Sequence, residues 1–277
     1  MRVLAGIFAA VVALALYAPV ATAAAIPTPS HVVIVVEENK PSGGVVGNNA
    51  APFINSVAKD GALMTQAYAV AHPSEPNYLA LFAGSTFGVS SDACPVDAGA
   101  APNLGSALLA AGYSFGGFSE DLPATGSLVC SAGKYARKHV PWANFVSVPA
   151  ANSLPFSSFN ARSDYATLPT VSFVIPNLDN DMHDGSIAQG DAWLASNMSR
   201  YANWAAANNS LLIVTFDEDD NSANNRIATI IYGAHVKPGS YNEPISHYNV
   251  LSTVEQMYGL PLTGLAANAP AISDIWA

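Results

Sequence analysis

Leu211-Leu212-Ile213-Val214-Thr215-Phe216 runs without a break into Asp217-Glu218-Asp219-Asp220. Six residues that are apolar or β-branched read as a strand buried on both faces, the kind found in parallel sheets. Four acids directly after it repel one another, which costs stability unless a cation offsets them. A hard divalent ion held through oxygens is the natural partner.

Two other stretches are built the same way. Val32–Val36 leads into Glu37, Glu38 and Asn39, and Val171–Ile175 leads into Asn177, Asp179, Asp181, His183 and Asp184. In α/β sheets, binding sites form beyond the carboxyl ends of the strands. Three clusters at three such ends imply one shared site, with the composition of a metal-assisted phosphoryl-transfer centre. Strand alternation makes Glu37 and Glu38 face opposite sides, so one of the two is expected in the site.

Between these runs lie helical patterns. Pro52–Asp60 carries Phe53, Ile54 and Val57 on one face and closes at Gly61, and Asn103–Ala111 closes at Gly112. Gly190–Asn208 has Trp193, Leu194, Met198, Tyr201 and Trp204 near one stripe, which is core packing. His247–Tyr258 ends at Gly259, and Tyr113–Phe118 and Ile227–Tyr232 read as further strands. Strands alternating with helices predict an α/β fold, a three-layer sandwich around a largely parallel central sheet.

Of the 277 residues, only 11% are charged and 51% are hydrophobic, so the chain folds rather than staying disordered. Residues 1–25 read as a secretory signal peptide: Arg2, the apolar Val3–Leu16, then Ala21-Thr22-Ala23, with cleavage near Ala23 or Ala25. An uncleaved anchor is the alternative, but the stretch is short for a spanning helix, and no later segment resembles one. Residues 26–277 form one expected domain, with an irregular, Pro-, Ser-, Asn- and Gly-rich insertion around 120–168 on the catalytic face. The chain is expected to be a secreted monomer with no transmembrane segment once mature. In that compartment the two cysteines, Cys94 and Cys130, favour a disulfide. A zinc site needs more ligands, and no local signature marks a catalytic thiol. Asp plus Glu total 20 against 10 Lys plus Arg, a balance that argues against nucleic acid and gives no long-range attraction to anionic lipid.

Ala71-His72-Pro73-Ser74-Glu75-Pro76-Asn77-Tyr78 precedes Leu79–Ala83 and Gly84, which reads as a helix start. Ser74 is then either an N-cap or something more. A hydroxyl at a helix N-terminus feels the positive end of the dipole, and a nearby cation would make it a nucleophile. It is not in a G-x-S-x-G elbow, which disfavours a lipase-type hydrolase. His183, among three Asp and two Asn, is a candidate ligand, phosphate clamp or proton donor. His247 opens the last helix. His31, His139 and His235 have no acidic company in sequence and are read as structural.

Val35-Val36-Glu37-Glu38-Asn39, His72-Pro73-Ser74-Glu75-Pro76-Asn77-Tyr78, Asp181-Met182-His183-Asp184-Gly185, Phe216–Asp220 and Ser246-His247-Tyr248 together resemble the phosphoesterase family. It contains bacterial acid phosphatases and non-haemolytic phospholipases C on an alkaline-phosphatase-like fold. Ser131–Trp142 and Asp184–Trp193 are similar to its secreted acid phosphatases. The resemblance implies a phosphomonoesterase in which Ser74 attacks phosphorus and forms a phosphoserine. It implies one divalent metal ion held by Glu38, Asn39, Ser74, Asp217 and Glu218. It gives His72, His183 and His247 to the phosphate and leaving group, and Asn77, Asn177 and Asp181 to the substrate.

Zinc alkaline phosphatases have an Asp-His pair where this chain has Asp217-Glu218, so calcium, magnesium or manganese is favoured over zinc. The implied substrates are phosphomonoesters, including phosphoinositide lipids such as phosphatidylinositol 3-phosphate, with a block of phagosome maturation if the source is a pathogen. Lys134, Arg137, Lys138 and Trp142 form the one basic-aromatic loop, expected at the lipid headgroup. A phospholipase C-type phosphodiesterase is the alternative enzyme, and a metal- or phosphate-binding protein without turnover is the alternative class.

Overall fold

Val32–Val36 are at most 1% exposed and form the centre of β1 (His31–Glu37). Covered on both faces, the strand needs no alternation of polar residues. In this computed structural model residue 1 and residues 25–277 are described, so the apolar stretch of the expected leader lies outside the described residues. After β1 come α1 (Ser42–Val45), α2 (Pro52–Asp60), β2 (Ala62–Tyr68), α3 (Ser74–Ala83), α4 (Leu104–Ala110) and β3 (Phe115–Ser119). The hairpin β4 (Ser131–Ala132) and β5 (Tyr135–Ala136) follows, then β6 (Ser153–Pro155), α5 (Ser157–Asn160) and β7 (Val171–Ile175). The chain continues through α6 (Ile187–Ala207), β8 (Ser210–Phe216), β9 (Arg226–Gly233), β10 (Gly239–Tyr241), β11 (Ile245–Ser246) and α7 (His247–Met257).

Nine strands form one sheet in the order β10-β2-β9-β8-β1-β7-β3-β6, with β11 also pairing β2. From β8 to β6 every pairing is parallel, and Val33 sits beside both Leu212 and Ser172. Helices flank both sides, with α2 packed against α6 and α3 against α7. The exception to parallel pairing is β9, antiparallel to both β8 and β2. Its cause is the short loop 217–225: a parallel return needs a crossover of a dozen or more residues, and this loop is too short for one.

The Trp193–Trp204 stripe of α6 faces the core as expected, with Leu194, Met198 and Tyr201 fully buried. All ten residues of α3 are buried, and Phe82 near its end meets Phe115, Trp142, Phe145 and Phe173. Gly84 ends α3 at φ 67, where a Cβ would lie 2.1 Å from the Thr263 carbonyl oxygen. Only glycine fits both demands. Residues 120–170 are largely turns, yet they also give the sheet its edge strand β6. Cys94 and Cys130 form a disulfide that ties this segment to the loop after α3.

Candidate active site

Backbone hydrogen bonds draw the three acidic strand ends together. The Asp217 amide donates to the Glu37 carbonyl at 2.9 Å, and the Glu38 amide to the Asp181 carbonyl at 2.7 Å. Asn39, at φ 45, turns the chain so that its amide donates to Asp217 Oδ1 at 3.1 Å. Asparagine tolerates this left-handed conformation better than most residues.

Ser74 enters this cluster from α3. It is the first helical residue, after Pro73 as N-cap, and its hydroxyl bonds to side chains instead of to the helix backbone. Its Oγ lies 3.0 Å from Glu38 Oε2 and 3.1 Å from Glu218 Oε1. One hydroxyl proton cannot serve both carboxylates. The Asn39 side-chain amide faces Glu38 Oε2 at 2.8 Å and Asp217 Oδ1 at 3.1 Å; its nitrogen would donate to both, and its oxygen can share their company only around a cation. Glu38, Ser74, Asp217 and Glu218 are each at most 4% exposed. Burial first, then Asp217 and Asp181, raises Glu38 well above the carboxylate range. Burial and Glu218 do the same to Asp217, and burial raises Glu218.

His139, read from sequence as structural, belongs to this site. Its Nε2 lies 3.2 Å from Glu38 Oε1 and its Nδ1 3.4 Å from Asp181 Oδ2, while its ring stacks on Tyr78. The Tyr78 hydroxyl in turn donates to Glu38 Oε1. Burial, then the Lys138 ammonium and the His183 ring, holds the His139 imidazole well below its usual range. It is therefore neutral and offers a lone pair, not a compensating charge. Burial pushes Asp181 up to about 7.

The other predicted residues divide. His72 Nδ1 contacts Glu218, and its Nε2 lies 3.4 Å from Asp219 Oδ1, a residue sequence reasoning had not singled out. His183 sits at the rim, with Nδ1 2.8 Å from Asp184 Oδ1 and Nε2 3.5 Å from Lys138 Nζ. His247 is buried, and its Nε2 donates to the Asp217 carbonyl at 2.7 Å. Burial lowers it to about 4, and its bond to the carbonyl holds the Asp217 backbone in place.

Asn77 and Asn177 are not free to bind substrate. Asn77 Oδ1 accepts from the Val70 and Ala71 amides, and its Nδ2 donates to the Ala71 carbonyl. Asn177 Oδ1 accepts from Asp179 and Asn180, and its Nδ2 donates to Asp121. Both hold the loops that carry the site. Asp181 faces His139. Glu37 turns away from Glu38, as alternation requires, and burial with Asp181 and Asp191 raises it.

The basic loop also divides. Lys134 pairs with Asp179 and Asp184. Arg137 is buried and donates to the Leu128 and Ala143 carbonyls, and Trp142 is in the core. Only Lys138 reaches the site, held by Asp92 at 2.8 Å, whose other oxygen accepts from the Glu75 amide.

The donor set fits a divalent cation. His139 Nε2, Asp181 Oδ2 and His247 Nδ1 are buried without a hydrogen-bond partner, and each can present a lone pair. Glu38, His139 and Asp181 offer ligand atoms within 4.8 Å of one another. Glu38 is shared between that group and the oxygens around Ser74. Four carboxylates on these two clusters outnumber the Lys138 ammonium that acts on Glu38 and Asp181, so oxygen-preferring ions are the better match.

This electrostatics has a measurable consequence. Burial pushes Glu75, Asp181 and Glu255 up to about 7 each. A carboxyl with a raised folded pKa gives stability that is full below its unfolded value and is lost as pH rises through the folded one. His247, held at about 4, acts oppositely and costs stability only as pH falls below its unfolded value near 6.5. The metal-free protein therefore gains thermal stability as pH is lowered from about 8 to about 6.5. A saturating divalent cation flattens or reverses that slope, because it binds the ionised carboxylates. Calorimetry across pH, with and without chelator, checks this.

The fold is that of the alkaline-phosphatase-like hydrolases. A protein of the alkaline phosphatase superfamily from Vibrio parahaemolyticus superposes with a TM-score of 0.61 at 13% identity, covering 90% of this chain and 72% of that one. The phosphonate monoester hydrolase of Silicibacter pomeroyi gives 0.59 at 11% identity, covering 88% and 76%. The chain belongs to the Phosphoesterase family, whose profile matches residues 42–261. It is 69% identical over 254 residues to the phosphatidylinositol-3-phosphatase of Mycobacterium tuberculosis, covering 92% of this chain and 85% of that protein. It is 31% identical to an acid phosphatase of Aspergillus fumigatus, covering 75% of this chain but only 51% of the fungal protein. The chain is a phosphoric monoester hydrolase.

Proposed function

We propose that this chain dephosphorylates phosphoinositide lipids, phosphatidylinositol 3-phosphate among them, as well as soluble phosphomonoesters, through a phosphoserine on Ser74. The observation that carries the mechanism is the Ser74 hydroxyl, at the start of α3 and within hydrogen-bond reach of Glu38 and Glu218. The substrate class is supported by the name of the 69% identical relative.

Ser74 Oγ attacks phosphorus as its proton passes to a neighbouring carboxylate, forming the Ser–O–P bond and breaking the bond to the leaving oxygen. The leaving oxygen takes a proton from His183 at the rim. Lys138 beside it draws a phosphoryl oxygen, and the positive end of the α3 dipole favours the anion. Water then attacks phosphorus as His72, oriented by Glu218 and Asp219, takes its proton; the Ser74 Oγ–P bond breaks, inorganic phosphate leaves, and Oγ regains the proton held by the neighbouring carboxylate. Glu38, Asn39, Asp217 and Glu218 would hold a divalent ion, with His139 and Asp181 extending the set. Such an ion supplies a lowered hydroxyl pKa and neutralises charge on the phosphoryl oxygens. Export and a role against phagosome maturation extend the same reading, on the leader-like sequence of residues 1–25 and the mycobacterial resemblance.

Product analysis separates this from the diesterase. Phosphatidylinositol 3-phosphate is expected to yield inorganic phosphate and phosphatidylinositol. Release of diacylglycerol would favour a phospholipase C.

A further inference from the structure

Beside the catalytic centre lies an apolar groove of about 510 Å³, within the size range of ligand clefts. Val96, Leu128, Trp142, Phe145, Val146 and Val148 line it. Leu128 is 60% exposed and Val146 75%, and Val129 next to Leu128 is also exposed. Apolar side chains gathered at the mouth of a cleft mark a binding surface more often than scattered ones do.

Two segments make both this groove and one wall of the active site. The first carries Asp92, which accepts from the amide after Ser74, and continues to Pro95 and Val96 in the groove. The second carries Lys138 and His139 at the site and continues to Trp142–Val146. Cys94–Cys130 fastens the first segment to the residues just before the second. Arg137 bridges the Leu128 and Ala143 carbonyls on two sides of the groove, and Asn144 in its wall donates to Glu75, the neighbour of Ser74. The groove is thus preformed and continuous with the catalytic wall.

We propose that this groove takes the acyl portion of the lipid whose phosphate is presented to Ser74. The inference rests on the phosphoinositide reading above. Charge favours an apolar mode of engagement: at formal net charge −10 the protein is repelled by an anionic bilayer, so attraction to lipid must come from apolar contact.

The test compares wild type with Leu128→Asp and Val146→Asp, both at exposed positions where the fold tolerates a charge. Three substrates are used: phosphatidylinositol 3-phosphate in phosphatidylcholine vesicles, its soluble dibutanoyl analogue, and an aryl phosphate. Each variant is expected to lose about ten-fold or more in kcat/KM on vesicles, the loss of one buried side chain's worth of contact, and to keep aryl phosphate turnover. Unchanged vesicle turnover, or an equal fall on all three, overturns the groove. Wild type that cleaves the aryl phosphate and neither lipid overturns the phosphoinositide reading instead. Co-sedimentation with the same vesicles reads the groove without turnover: binding by wild type that both variants lose supports it, and equal binding refutes it.

Discussion

Ser74→Ala removes turnover on every phosphomonoester, lipid or soluble, by on the order of 10⁴-fold or more, the scale of losing a covalent nucleophile. The change deletes one buried oxygen and leaves α3 intact, since the Ser74 hydroxyl bonds to side chains instead of to the helix backbone. It also removes the group that Glu38 and Glu218 crowd, so folding stability holds or rises while catalysis is lost. That split separates a nucleophile from an N-cap, whose loss costs about 1 kcal/mol of stability and little chemistry. Phosphate release and urea denaturation on the same preparation measure both. Activity retained in Ser74→Ala would move the nucleophile elsewhere.

Asp217→Asn is the second large effect. Asp217 accepts from the Asn39 amide, lies opposite the Asn39 side chain, and has its carbonyl held by His247. The substitution preserves shape and removes one charge from the cation-binding oxygens. Turnover is expected to fall by about 10³-fold, the scale of several kcal/mol of transition-state charge stabilisation. Bound divalent metal per chain, read by elemental analysis, falls with it. Exhaustive chelation of wild type reproduces the loss, and manganese, magnesium or calcium restores more activity than zinc. Full activity after chelation, with no metal in the protein, would exclude this account of Asp217.

The three strand ends were legible because each apolar run stops at a run of acids, a pattern that burial makes costly without a function. Ser74 was legible as a helix start, and its meeting with Glu38 and Glu218 required the fold. His139 was hidden: it has no acidic neighbours in sequence and follows Arg137 and Lys138 of the basic loop, and only folding turns the three apart. Arg137 goes into the interior to hold backbone, Lys138 to the rim, and His139 between Glu38 and Asp181. The one signal in its favour is the Val140-Pro141-Trp142 stretch that follows, apolar enough to drag a histidine inside. Asn77 and Asn177 show what a motif leaves open: it records that an amide is needed and not whether it faces substrate or loop, and here both bond to their own loops. Strand β2 was missed since its Thr65 and Gln66 interrupt the apolar pattern at a bulge in its pairing with β9. The orientation of β9 followed from the length of a loop and not from its own residues.

The most direct test is to quench the enzyme in acid during turnover of an aryl phosphate near pH 5, then map phosphate on its peptides by mass spectrometry. Phosphate on the peptide carrying Ser74, absent in Ser74→Ala, is the predicted result. Turnover with no phosphopeptide, or phosphate on His72 or His183 in a parallel sample quenched in alkali, which preserves phosphohistidine, would contradict a serine-centred mechanism.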